Sequence, residues 1–483
     1  MCNTLDAQTL QTLKSILSND SILYEGTEEY EAANSSYFSA FANEVKPALI
    51  LKPQTTEQVQ QLIRALRQHP DSGDCGIAIR GGGHNPSGRA ANVQGGITVD
   101  MRDFKGVSLN QDKSIVSIRA GETWSSVYQE LEKFNITTTG ARASRVGVTG
   151  FILGGGLSIF STQTGFACDS VTEFEIVMPS GDIIYANSEQ HTELWTALKG
   201  GLNNFGIVTS FKMKTFESKD IWGGVTFYLP TAFPDLMQRA CDFVFQDMDP
   251  NTHVMCSAGY GYGHQGATCV MYHTLGDSGS PSLQPFITLE PQIKDMSTMR
   301  VSTHSSFSDE LSNFSQNGVR QFWASITIKP DIALMKTFYE MWQQALDAIQ
   351  DASGLTFTLG FHALTKTLLS NSKAAGGNAM NIPAEDGPLF IVLINPTWSM
   401  PSDDQRILAR VHELVDELKR TASAEGLLHR YIFTNYAREG DEVIHGYGEE
   451  STSKLREITK RYDPEGWWQR QVSGAFKLPS EGI

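Results

Sequence analysis

The sequence has no run of residues long and apolar enough to cross a bilayer. A long uncharged stretch, residues 146–168, is broken by Gly154, Gly155 and Gly156 and carries Ser158, Ser161, Thr162, Gln163 and Thr164. A membrane helix needs about 20 mostly apolar residues. The opening Met1-Cys-Asn-Thr-Leu-Asp6 lacks the basic start and apolar core of a secretory leader. Positive charge is scarce, the formal net charge being −16. That argues against nucleic acid or an anionic membrane as a partner, since both repel an acidic surface. Six cysteines stand at positions 2, 75, 168, 241, 256 and 269. They form no Cys-x-x-Cys pair and no zinc-spaced Cys/His set, so most read as small buried apolar residues. No internal repeat, Walker loop or Gly-x-Gly-x-x-Gly turn between strand and helix occurs.

What is present fits a soluble globular chain. Of 483 residues, 40 % are apolar and 19 % charged, enough for two or three structural units. Asn-x-Ser/Thr acceptors begin at Asn19, Asn34, Asn135 and Asn313, about as many as chance gives. Helix and strand patterns alternate, which predicts an α+β protein. Val59, Leu62, Ile63 and Leu66 share one face of a helix predicted over 55–69. Residues 76–80, 96–100 and 114–119 read as strands, and Thr123 as the cap of a helix striped by Trp124, Val127, Leu131 and Phe134. A hairpin is predicted around Pro179-Ser-Gly181, a short helix over 193–199 and a strand over 205–214. Beyond about 217 the glycine loops thin out. Helices are predicted over 331–350, 403–419 and 451–462, and a buried strand over 389–394.

Two glycine-rich turns carry the chemistry. One is Arg80-Gly-Gly-Gly-His-Asn-Pro-Ser-Gly88. The other spans Gly147-Val-Thr-Gly150 and Gly154-Gly-Gly156. Glycine lets backbone approach a ligand closely, and successive N–H groups can cradle a pyrophosphate. His84 leaves the first turn where an imidazole would sit near a cofactor's reactive ring. A hydrogen-bonded loop histidine is the plainer alternative.

In this order the chain also carries Val99-Asp-Met101, Val146-Gly-Val-Thr-Gly-Phe-Ile-Leu-Gly-Gly-Gly156, Gly165-Phe-Ala-Cys-Asp169, Gly201-Leu-Asn-Asn-Phe-Gly-Ile-Val208, Phe433-Thr-Asn-Tyr436 and Tyr462-Asp-Pro464. Together with the histidine turn these resemble the berberine-bridge-enzyme-like (BBE-like) branch of the vanillyl-alcohol-oxidase flavoproteins, in its fungal form, over nearly the whole chain. The resemblance implies a PCMH-type two-part FAD-binding domain at residues 1–216 (core about 43–216). A substrate domain, a sheet covered by helices, would span 217–424. Residues 425–483 would return to the FAD domain, leaving the active site between the two.

The resemblance further implies that FAD contacts Arg80, Gly81, Gly82, Gly83, Asn85, Ser87, Gly147, Gly150, Gly154, Gly155, Gly156, Gly206, Val208 and Asn435. His84 would carry an 8α-histidyl bond to it. The cysteine that makes a second bond in many members is Ala143 here, so a single bond is expected. Val146 stands where a small residue admits O2 to the flavin. Tyr436 is the candidate base, although a packed tyrosine is an equal reading; a phenol acts as a base only where its surroundings favour the phenolate. Asn435 is read as orienting the flavin or its neighbour, and Phe433 departs from the family's tyrosine. Cys2 and Cys75 occupy the places of a family disulfide. Such a bond persists in oxidising compartments, which implies the secretory pathway or extracellular space over the cytoplasm, with a signal peptide removed and glycosylation at the acceptors above.

Tyr260, Tyr262, His264, Tyr272, His273, Trp323 and Trp398 are candidates for a substrate wall. The expected activity is oxidation of a small organic molecule, with hydride passing to the flavin and O2 leaving as H2O2. A fungal secondary-metabolite pathway, including oxidative cyclisation, fits it, as does an alcohol or carbohydrate oxidase. A flavin-containing cyclase and a non-catalytic binding protein are the alternatives. A monomer is expected.

Overall fold

Three large sheets, with a two-stranded one that pairs Ile136–Thr137 with Phe216–Glu217, build the chain in a computed structural model that describes residues 7–68, 76–246 and 249–479. The positions of Cys2 and Cys75, and hence the expected disulfide, lie outside the described residues. The first sheet has four strands in the order Ile22–Tyr24, Leu49–Leu51, Ile97–Asp100, Ile77–Arg80. Its last three strands run parallel. Parallel neighbours need a crossover, and the helix Thr56–Gln68 supplies one, burying Val59, Leu62, Ile63 and Leu66. The first glycine turn leaves the carboxyl end of Ile77–Arg80. Ligands of open α/β sheets gather at such strand ends.

The second sheet is antiparallel, ordered Val107–Leu109, Ile115–Arg119, Ile207–Lys214, Val171–Val177, Ile183–Asn187. Its last two strands make the predicted hairpin. The second glycine turn opens the short helix Val148–Leu153. The helix Trp124–Glu132 buries Trp124, Val127 and Leu131, but it stops before Phe134, which is 40 % exposed. Thr123 makes no side-chain cap. The Trp124 N–H instead donates to the Val146 carbonyl, so tertiary pairing replaces the local cap.

The third sheet has nine antiparallel strands between Ile221 and His429. Side chains alternate across it. Val254, Cys256, Phe357, Leu359, Phe361 and Ile394 face one way, onto the helices Phe233–Phe245, Ile332–Asp347 and Asp404–Ala424. His253, Met255 and His362 occupy the intervening positions and so fall on the other face.

The chain end returns to the first sheet. Ser473 donates its N–H to the Ile77 carbonyl at 2.7 Å. Of the four glycosylation acceptors, Asn34 is fully buried, its amide donating to the Asn43 and Val45 carbonyls, and is closed to modification. Among the described residues no helix is long and apolar enough to cross a membrane.

Candidate active site

The two glycine turns meet backbone to backbone. A Cβ on Gly82 would lie 2.5 Å from the Gly147 Cα, and one on Gly147 would lie 2.4 Å from the Gly82 nitrogen. Beside this contact the surface is bare. A Cβ on Gly150 would meet nothing within 4 Å, and one on Gly81 only the Thr149 Cβ at 4.0 Å. A cleft of about 1590 Å³, counting the open space at its mouth, begins there. It runs past His84, Asn85, Val146, Gly154, Gly206 and Val208 to Trp323, Asn435 and Tyr436.

Several residues expected at FAD do not line this cleft. Arg80 is fully buried beneath the first turn. Its guanidinium donates to the Ala33 carbonyl (2.7 Å) and the Ser36 hydroxyl (3.0 Å), lies over the Tyr37 ring, and stands 3.7 Å from Asp100. It props the turn from behind. Ser87 donates to Glu439 at 2.7 Å outside the cleft. Gly155 and Gly156, both at positive φ, abut Met380 and Phe151. They shape the second turn from its far side. Asn435 clasps that turn: it accepts from the Gly156 N–H (3.3 Å) and donates to the Phe151 carbonyl (3.2 Å).

His84 stacks on Phe38, ring centroids 3.9 Å apart. Burial pushes its pKa down to about 4, and the Arg145 charge adds to the fall, so the ring is neutral at pH 7. Val146 is half-buried on the cleft wall, which Ala143 also lines.

Tyr436 sits in an aromatic nest, edge-on to Trp323 (5.3 Å) and Phe433 (4.9 Å). Its hydroxyl accepts from the Arg142 guanidinium at 2.6 Å. With that lone pair engaged, the hydroxyl's own proton is directed elsewhere. Arg142 also donates toward His362 Nδ1 (3.0 Å) and the Met255 sulfur. Burial pushes His253 down to about 3 and His362 well below the usual imidazole range, and the Arg142 charge adds to both. Both rings are therefore neutral.

Only Trp323 of the seven expected wall residues lines the cleft. His273 pairs with Asp249 at 2.9 Å and Tyr272 is buried beside it. The Trp398 indole donates to Asp404 at 2.7 Å. Tyr260 donates to the Gln350 carbonyl, and Tyr262, 93 % exposed, sits with His264 at the hairpin tip. Spacing on a strand fixes a face but not distance along it, so these residues fall outside the site. Sequence reasoning does not single out Arg142, His253, Met255 or His362. The available signal is an arginine between two alanines just before the second turn.

Comparison with known proteins agrees with this geometry. A family described as "FAD binding domain" matches residues 47–187. The FAD-dependent monooxygenase tpcD of Cochliobolus heterostrophus is 32 % identical over 92 % of this chain and 87 % of its own. The chain belongs to this family of fungal FAD-dependent enzymes. A BBE-like protein of Physcomitrella patens superimposes with a TM-score of 0.78 at 17 % identity, covering 98 % of this chain and 100 % of that one. The xylooligosaccharide oxidase of Myceliophthora thermophila gives 0.78 at 17 %, with the same coverage. At such identities the likeness is one of fold.

The bare surface at Gly81 and Gly150 suits the FAD of this family, because any side chain there would fill the approach. The two turns, Asn85, Gly206 and Val208 would hold it.

Proposed function

We propose that this chain oxidises a small organic molecule, holding FAD through a single covalent bond at His84 and delivering the electrons to O2 as hydrogen peroxide. The observation that carries this reading is one continuous cleft that joins the bare glycine surface, the neutral His84, the small Val146 and the Tyr436 hydroxyl. FAD, when bound, supplies a two-electron acceptor.

The protein's own groups do the rest. A neutral imidazole offers the lone pair that bond formation requires, and stacking on Phe38 fixes its ring plane. Ala143 offers no second anchor. The phenolate form of Tyr436 takes the substrate proton and becomes the phenol, with the Arg142 guanidinium beside its oxygen. Val146 leaves room for O2. Names among the relatives, such as FAD-dependent monooxygenase for the Cochliobolus protein, keep oxygen among the reactants, and a fungal biosynthetic setting fits this reading. The Cys2–Cys75 disulfide and its secretory setting belong to the same proposal, and peptide mapping without reductant checks the bond.

Acid precipitation of the loaded protein is expected to leave a yellow pellet. A colourless pellet overturns the covalent bond. Alcohols, sugars and polyketide-type compounds are then screened for oxygen uptake, with one peroxide expected per product. Oxygen from ¹⁸O2 entering the product would assign a monooxygenase instead, and conversion without oxygen uptake would assign a cyclase.

A further inference from the structure

Arg142 is 8 % exposed, yet among the described residues no carboxylate lies within salt-bridge distance of it. Its recorded partners are a phenol, a neutral imidazole and a thioether. Five guanidinium N–H groups are available, so these partners leave donors unclaimed. A buried cation without a counter-charge is costly. Such groups gather at functional sites.

The rest of the cleft sharpens the point. Arg142 is the one charged residue among those lining it; no Asp or Glu is present there. Ala141 and Ala143, on either side of Arg142 in sequence, also line the cleft and leave space in front of it. Arg145, three positions on, adds positive charge near His84 and is held by the Asn313 amide oxygen, not by a carboxylate. The whole chain carries a net charge of −16. Its cleft therefore opposes the sign of its surface, an arrangement that concentrates anions locally.

We propose that Arg142, beside Tyr436, is an oxyanion-binding subsite that selects substrates bearing a carboxylate or an acidic enol or phenol oxygen, and so determines specificity. The inference rests on the reading of this cleft as a flavin and substrate site. The substrate oxyanion supplies the missing counter-charge. It accepts the unclaimed guanidinium N–H groups, while the planar body lies among Trp323, Phe433 and Tyr436. His253 and His362, both neutral, do not compete with Arg142 for it.

The test uses the FAD-loaded protein and two planar probes of the same shape, benzoate and benzamide, titrated calorimetrically at pH 7.5 without turnover. Benzoate is expected to bind about 10- to 100-fold more tightly, the range of a charge-assisted hydrogen bond. Arg142→Met is expected to abolish that preference by weakening benzoate alone. Arg142→Lys, which keeps the charge, is expected to retain part of it and guards against misfolding of the methionine variant. Equal binding of the two probes by the wild type overturns the proposal. So does an undiminished preference in Arg142→Met, or an altered flavin spectrum in that variant with benzoate binding unchanged. Because nothing is turned over, the oxidase reading can fail by absence of peroxide while this subsite stands, and the reverse.

Discussion

At the residue scale, Val146 and Tyr436 divide the proposed reaction between oxygen and proton. Val146→Leu adds one methylene to a half-buried wall and is expected to slow reoxidation by O2 about 10-fold, a barrier change of about 1.4 kcal/mol. Reduction of the flavin by substrate should be unchanged; stopped-flow traces of the two half-reactions separate the effects. Tyr436→Phe removes the hydroxyl that Arg142 holds at 2.6 Å. It is expected to lower kcat by about 10²–10⁴-fold, the usual contribution of a general base, with a smaller effect on KM. Both residues were legible in the sequence through motif order. Arg80 was legible as part of the histidine turn, but not as its prop, because its partners Tyr37, Ser36 and Asp100 lie on other segments. Arg142 was not singled out at all. Its meaning depends on the absence of a carboxylate around it, and a sequence does not display that absence.

Among the elements, the glycine turns allow a paired prediction. Gly147→Ala drives a methyl group into the Gly82 backbone at 2.4 Å. It is expected to destabilise the protein by about 3 kcal/mol or more, read as a fall in Tm with or without FAD. Gly150→Ala meets nothing within 4 Å. Its apoprotein should melt as the wild type does, while its FAD content after expression falls. Equal stability of the two variants would refute this division of labour. Apolar spacing revealed the major helices because each packs one face on a sheet. It overran at Phe134, where the helix ends at Glu132 and the chain leaves the core. The aromatic wall was misplaced for a related reason: period two identifies which face a strand residue takes but not whether it lies near the cleft.

Over the whole molecule, buried neutral histidines tie stability to acidity. Burial pushes His253 and His304 from 6.5 down to about 3. The folded state therefore refuses protons that the unfolded chain accepts. Stability is intact above about pH 6.5 and is lost as pH falls from there toward 3. Each group accounts for up to about 1.4 kcal/mol per pH unit. The pair thus removes on the order of 4 kcal/mol between pH 6.5 and pH 5. Tm should fall accordingly. His304→Phe, which keeps the contacts with Tyr128 and Phe160, should reduce the unfolding proton uptake over that window by about one. An unchanged slope would count against it.

The bond between Ser473 and Ile77, 396 positions apart, also sets a schedule. A ribosome adding about 5–20 residues per second exposes the first glycine turn roughly 20–80 s before the segment that completes its surroundings. Completion of the cleft thereby waits on Ser473, and its first-made half stays open until that segment has been synthesised.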